Sequence, residues 1–500
     1  MLSISSTDNT SDLLNPGKFL VFLGSSLLAV CLGLVASTAN PTVISLGVGL
    51  LIGGLLLGKP NWNIWLILIF GLLVDGMLPI WIDDSQAGKL GWGISLLGFI
   101  LMTRSFFKAA STPHYVRDTP DFVWLAIVFL FYIIVLSLLQ WQTMGQFFAA
   151  LKKYSHVYGL LFAFSWLLFD DRTIQRWRKF LVFVAIMQLP AVIYELMVIV
   201  PKREALATLL PDIIPIDAVG GTLGTGIMNG GASAEMAFFL IAIMGFLFAY
   251  WKMGALSTGK LAVLIPIVTA PLLMGETKAV IIQLPIMFII VFRQDILAKP
   301  LRIIMISPVI AAVIVGVVLA CTTITGKTVD QLTTEAIEYN LKEQGYGGRF
   351  LNRKTALTFW AKQQGLENPI SPVFGNGIGS AEELSLLTPG HIAAKFPKYG
   401  IGLTDASQFL WEIGVFGCAI FLAILISAWI TAGLLYKKAR DPAVRADGLG
   451  IQVTIALLVF HLFYRNALLH VLSFQVLILF ALGHLAWLYR QYRANDGANP

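Results

Sequence analysis

Residues Phe122–Leu139, FVWLAIVFLFYIIVLSLL, run for eighteen positions without one charged side chain. As a helix they would span roughly 27 Å, close to the ~30 Å hydrocarbon core of a bilayer. On either side the chain shows more of the same kind. Phe19–Ala36, Thr42–Leu57, Trp62–Ile80 and Leu90–Met102 precede it, and Val157–Phe169, Phe180–Val200 and Ser233–Tyr250 come after it. Leu261–Met274, Val280–Phe292, Ile303–Ala320, Phe409–Leu435, Ile451–Tyr464 and Val471–Tyr489 complete the set. The expectation is an all-α integral membrane protein of about 14 transmembrane helices.

Composition agrees. The 500 residues are 57% hydrophobic and 13% charged, against roughly 25% charged in a soluble domain, and mean hydropathy is +0.79. A soluble multidomain enzyme, a disordered chain and a nucleic-acid factor are excluded. So is an outer-membrane barrel, whose strands of ~10 residues alternate in polarity. The net charge of +7 is explained by basic cytoplasmic loops rather than by nucleic acid.

Those basic residues also orient the chain. With the N-terminus inside, 20 of the 35 Lys and Arg fall on the cytoplasmic side. Eight of the other 15 sit in one long hydrophilic segment. Long loops cross largely regardless of charge, so the ratio that matters is 20 to 7, and both termini are expected in the cytoplasm. Residues 1–17 carry no basic n-region and read as a cytoplasmic tail before a retained helix. Residues 18–321 form a bundle of about eleven spans with a Gly-rich outer loop at 201–232. Residues 322–406 form one large extracytoplasmic loop of mostly helical character, 407–489 the last three spans, and 490–500 a second tail. Cys31, Cys321 and Cys418 lie in or at the end of apolar runs, so neither a disulfide framework nor a zinc site is expected.

Chemistry concentrates on the outer side. In the large loop, GYGGRFLNRKTALTFWAKQQ reads as a helix from Arg349 to Gln364, which would set Arg349 and Arg353 on one face. Two guanidinium forks there match a diphosphate; pairing with Glu338 or Glu343 is the alternative. FGNGIGS (Phe374–Ser380) offers backbone N–H groups to an anion, or is simply a tight turn. LTDASQFLWEIGVFG re-enters the membrane with Asp405 at its mouth, as a general base or as a helix N-cap. Lys278, in GETKA, and Arg465, near His470, add cations to the same outer face, where either can also be an interfacial anchor. His391 is the histidine deep in the large loop and a second candidate base. Asp75 and Glu195 interrupt apolar runs. Asp83 and Asp84 form an acidic pair, read as solvated rather than metal-binding. Phe350, Trp360, Phe374, Tyr399 and Trp411 are possible sugar platforms or interface anchors.

The order of these pieces resembles the O-antigen ligase / Wzy-type polymerase superfamily of bacterial surface-polysaccharide membrane proteins. GTLGTGIMNGGASAEMAFFL (Gly221–Leu240) is similar to that family's glycine-rich stretch before a span. GETKAVIIQLP (Gly275–Pro285) is similar to its short turn, with Lys278 where Arg is usual. GGRFLNRKTALTFW, FGNGIGS and QFLWEIGVFG together resemble its large loop, and the resemblance covers Gly220 to Gly417. It implies a metal-independent, inverting glycosyl transfer without cofactor at the outer face of the bacterial inner membrane. The implied partners are an undecaprenyl-diphosphate-linked glycan donor and acceptor, membrane lipid, a chain-length regulator and a flippase, with no nucleic acid. Arg349 would stabilise the leaving diphosphate, and Arg353, Lys278 and Arg465 would bind it. The ligase branch carries a His-Asn pair where this chain has Leu403 and Thr404. That departure favours a polymerase of exopolysaccharide, capsule or O-antigen units over an O-antigen ligase or a protein oligosaccharyltransferase, with Asp405 as substitute base. A lipid-linked oligosaccharide flippase is the alternative of another class, disfavoured by the long loop and the scarcity of mid-span charge.

Overall fold

The computed structural model describes residues 53, 56–82, 84–112, 116–141, 143–210, 215–227, 230–275, 277–298, 329–342, 345, 349–364, 370–383 and 389–497, with scattered positions between 311 and 328. The chain divides into Met1–Trp62 and Asn63–Pro500. Little of the first unit is described, and the second carries the candidate site. The expected spans Phe19–Ala36, Thr42–Leu57 and Ile303–Ala320 lie largely or wholly outside the described residues, as do Cys31, Cys321, Asp83, Glu276 and Glu343.

Every regular element among the described residues is helical. In order these are α1 (Pro60–Ile69), α2 (Asp84–Ser111), α3 (Asp121–Leu139), α4 (Met144–Ser155), α5 (Tyr158–Trp166) and α6 (Asp171–Tyr194). Then come α7 (Val200–Ala207), α8 (Ser233–Lys252), α9 (Thr258–Met274), α10 (Val280–Ala298), α11 (Val329–Leu341), α12 (Arg353–Gln364) and α13 (Ile370–Phe374). The last are α14 (Asp405–Glu412), α15 (Gly414–Lys438), α16 (Pro442–Tyr464) and α17 (Leu472–Gly497).

Among the described residues eight helices are long and apolar enough to cross a bilayer, Asp121–Leu139 among them. Two expected spans are helical but short, α5 and α9, and a third, α10, is a 19-residue apolar helix outside those eight. The apolar windows of α8, α16 and α17 are 83%, 78% and 89% buried, while the other five are 28–44% buried. Three helices therefore form the centre and the rest surround them. The surrounding helices turn Phe131, Leu138, Met197 and Ile430 outward, each more than half exposed. So much outward apolar surface on helices of this length is stable only against hydrocarbon. The protein is an all-helical, membrane-embedded bundle.

Two details position the site. Helix α6 runs through a π turn, Glu195–Ile199, straight into α7, so the Gly-rich loop expected from residue 201 begins only after Ala207. The run expected as one span from Phe409 is broken between α14 and α15, where Gly414 has φ +65°. A Cβ at Gly414 would lie 2.4 Å from the Val373 carbonyl oxygen and 2.5 Å from the Gly375 nitrogen. The FGNGIGS backbone crosses the helix there, and the helix breaks to let it pass.

The 349–412 segment has its own small apolar core, made by Leu351, Ala356, Ala381, Ile392, Ala393, Ile401 and Trp411. Phe359, Trp360, Phe396 and Tyr399 pack against it. The proposed sugar platforms Trp360, Tyr399 and Trp411 thus serve mainly as packing, and Phe350 and Phe374 keep an exposed face.

Candidate functional site: a cationic crevice at one end of the bundle

The N–H groups of the glycine loop are taken up by the protein's own backbone. Gly375, Gly377 and Gly379 have φ of +86°, +88° and +76°, a conformation that side chains other than glycine rarely tolerate. This lets Asn376 and Gly377 donate their N–H groups to the Trp411 and Glu412 carbonyls, both at 3.0 Å. The Glu412 side chain accepts from the Ala381 N–H at 3.3 Å and from the Tyr154 hydroxyl at 2.9 Å. Gln408, one helical turn back, donates its amide to Glu412 Oε1 at 2.8 Å.

Lys153 stands beside this carboxylate. It pairs with Glu382. Burial pushes its ammonium down to about 8; Glu412 resists and Lys152 adds to the push. Lys152 lies near Asp75 at Gly91, its ammonium 4.6 Å from the centre of the Trp92 ring.

Of the six residues singled out in the sequence, Arg349 is not helical. Asn352 caps α12 by accepting from the Thr355 N–H at 2.8 Å, so the helix starts at Arg353. The chain before it is extended, with Phe350 and Leu351 donating to the Lys398 and Tyr399 carbonyls. The shared helix face expected for Arg349 and Arg353 is therefore absent. Arg349 pairs with Glu383 at 3.5 Å and stays about one-third exposed. Arg353 lies over the Tyr464 ring at 4.3 Å and donates to the Tyr464 carbonyl. Glu338 pairs with Lys342 instead.

Arg465 pairs with the buried Glu235 at 3.2 Å and donates to the Gly231 carbonyl at 3.1 Å. Lys278 is exposed. It acts, with Arg465 and Arg203, on the charge of Asp217. Arg203 in turn holds the Gly226 and Ile227 carbonyls at 3.0 and 2.9 Å. Below them, Glu195 accepts from the Gly220 and Gly221 N–H groups at 3.1 and 2.8 Å. The carboxylate in the π turn thus anchors the glycine-rich loop.

Asp405 is fully buried and does not cap its helix; Thr404 does, in a capping box with Ser407. Its carboxylate instead accepts from Ala467, Leu468 and Leu469 N–H at 3.1, 3.0 and 3.4 Å, holding the turn between α16 and α17. Burial pushes it up to about 8 against the pull of those three donors. His391 is half-buried on a separate turn, and burial and Lys395 lower its pKa.

The residue that draws these pieces together is His470, which the sequence marked only as a neighbour of Arg465. Its ring is enclosed between the loop and the bundle, yet a crevice leaves it open to water. Lys153, Arg349 and Arg465 all bear on it electrostatically; enclosure first, then these three charges, hold its imidazole down to about 3. Deeper in the bundle is a small, mostly apolar cavity of about 30 Å³ lined by Phe129, Tyr158, Phe421, Leu468, Leu469 and Leu479, with Tyr154 and Gln475 at its polar edge. Among the described residues no three His, Cys, Asp or Glu side chains meet in a way that would hold a metal ion. No protein-family model matches this sequence, and no curated protein matches it.

Proposed function

We propose that this chain is a membrane glycosyltransferase that polymerises undecaprenyl-diphosphate-linked oligosaccharide repeat units. In this reading it has about 14 spans, both termini in the cytoplasm, and residues 322–406 on the outer face of a bacterial inner membrane. The observation that carries the reading is a cluster of cations around one exposed histidine at the end of an apolar bundle. Arg349, Arg465 and Lys153 converge on one point, and Lys278, on the α9–α10 turn, shares Asp217 with Arg465. A lipid diphosphate needs cations for its head and apolar surface for its chain, and the outward faces of the surrounding helices supply the latter.

The chemistry follows from charge. An acceptor hydroxyl attacks the anomeric carbon while the bond to the diphosphate oxygen breaks, and negative charge grows on the leaving group. Preorganised cations at that place stabilise the transition state more than the ground state. Arg349 suits the task because its pair with Glu383 is long and partly exposed, so an arriving diphosphate can compete for the guanidinium. Arg353, committed to Tyr464, lies at the edge. Asp405 is sealed from water and keeps the Arg465 turn in place.

Gene deletion tests the reading, with leaflet-resolved analysis of lipid-linked intermediates. A single repeat unit accumulating on undecaprenyl diphosphate at the outer leaflet, with polymer lost, is the expected result. The same unit trapped on the inner leaflet would mean a flippase.

A further inference from the structure

Three side chains from two elements form a chain that ends in the cationic crevice. Glu412, held by Tyr154 and the glycine loop, accepts from Gln408 Nε2 at 2.8 Å. With Nε2 donating to Glu412, the Gln408 amide turns its Oε1 the other way. That oxygen receives the Asn466 side-chain amide, itself tied to the Gly402 carbonyl at 2.7 Å. It also lies 3.2 Å from His470 Nε2. An oxygen facing Nε2 requires the hydrogen to be there, so Nδ1 carries the bare lone pair. Among the described residues Nδ1 has no hydrogen-bond partner, and the ring is open to water. Asp405, by contrast, is fully buried.

We propose that His470 is the general base of the transfer, with Nδ1 taking the acceptor hydroxyl's proton and Gln408 and Glu412 fixing the tautomer. This rests on the glycosyl-transfer reading. The balance is simple. The acceptor oxygen bonds to the anomeric carbon, the carbon–oxygen bond to the diphosphate breaks with its electron pair leaving on the diphosphate, and the proton passes to Nδ1.

The surroundings add a condition. The charged groups that face His470 are Lys153 from α4, Arg349 from the extended segment and Arg465 from its own turn. All three are cations, and with the site empty they hold the imidazole neutral and weakly basic. A bound diphosphate offsets them and raises the basicity of Nδ1 toward the ordinary histidine range. The base therefore becomes effective only once the donor is seated, which protects the donor from premature hydrolysis.

The test uses the full-length protein in lipid nanodiscs, with lipid-linked oligosaccharide extracted from gene-deleted cells as donor and acceptor. His470→Gln, which keeps a donor toward Gln408 but has no basic nitrogen, should lower turnover about 100-fold or more while donor KM changes less than twofold. Added imidazole should partly restore His470→Ala. Gln408→Leu, which frees the tautomer, should lower kcat and move the acid limb of the pH–rate profile without changing donor KM. Full turnover by His470→Gln in a preparation where the wild type is active would overturn the role of His470 and leave the glycosyltransferase reading standing. A wild-type protein that makes no polymer from this material would remove that reading itself.

Discussion

The two ends of the bundle use cations in opposite ways. At the end away from the crevice they are spent on protein. Asp447 receives Arg178 at 3.1 Å, His484 at 3.3 Å and the Tyr250 hydroxyl at 2.7 Å, tying α6, α8, α16 and α17 together. Lys252 pairs with Asp295 at 2.7 Å, and Arg293 donates to Gln452 at 2.7 Å while facing Trp429 and Tyr436. Arg490 holds the Ser165 carbonyl. At the crevice end Arg349 has one long pair, Lys278 is exposed, and Lys153, Arg349 and Arg465 crowd a neutral histidine. Each of these three has a carboxylate partner, Glu382, Glu383 or Glu235, yet they still crowd together around one neutral ring. They suit an anionic ligand from outside.

That contrast can be broken by exchanging the kind of damage done at each end. Arg349→Ala should lower polymer formation by about 100-fold or more, read as the loss of long chains on a glycan gel. Its unfolding temperature should barely move, because a partly exposed pair contributes roughly 0–1 kcal/mol. Unchanged chain length would remove Arg349 from the site. Asp447→Ala should do the reverse. It strands a cation and a buried histidine and is expected to destabilise the protein by about 3 kcal/mol or more, seen as a lower melting temperature in detergent. The molecules that stay folded should still polymerise.

Glu195→Gln gives a smaller effect. It keeps an oxygen for the Gly220 and Gly221 N–H groups but weakens both bonds, an expected loss of about 1–2 kcal/mol, checked by thermal unfolding. A drop in activity larger than the drop in folded fraction would show that the glycine loop positions substrate as well.

The smallest effect is one of pH. Lys153 has its ammonium held near 8, below the ordinary lysine value. Above about pH 8 the folded protein loses this charge, and turnover should fall. Stability should move the other way. Between about 8 and the unfolded lysine value the unfolded chain binds more protons, so unfolding becomes harder as pH rises. Lys153→Arg, which stays charged, should flatten the alkaline fall in turnover. A fall that persists in that variant would assign it to another group.

The spans were legible because hydropathy is a local property. Phe122–Leu139 and Ser233–Tyr250 match their helices to within two residues at each end, and Val471–Tyr489 matches the start of its helix. The gathering of Lys278, Arg349 and Arg465 on one side was legible too, since span order alone assigns loops to a face. What stayed hidden depends on contacts between distant segments. Tyr154 meets Glu412 across 258 positions and Gln408 meets His470 across 62. The FGNGIGS loop, read as an anion site or a tight turn, gives N–H groups to the Trp411 and Glu412 carbonyls, partners that no local pattern announces. The start of α12 at Arg353 was readable in principle, because Asn352 followed by Thr355 is a capping pattern; the apolar spacing of Ala356, Leu357 and Trp360 outweighed it. Asp405 was read as a general base or a cap, and its structural task stayed hidden for the same reason as the Glu412 contacts. Its partners at 467–469 lie on another helix junction.

Whether the crevice end transfers glycans from a lipid diphosphate is decided by reconstitution. The purified full-length protein is placed in lipid nanodiscs with a single lipid-linked repeat unit, and the products are resolved by length. A ladder that grows in steps of one repeat unit, lost with Arg349→Ala and retained in folded Asp447→Ala, is the predicted result. Repeat units that stay monomeric with the wild-type protein, or a ladder untouched by Arg349→Ala, would contradict glycan transfer at this site.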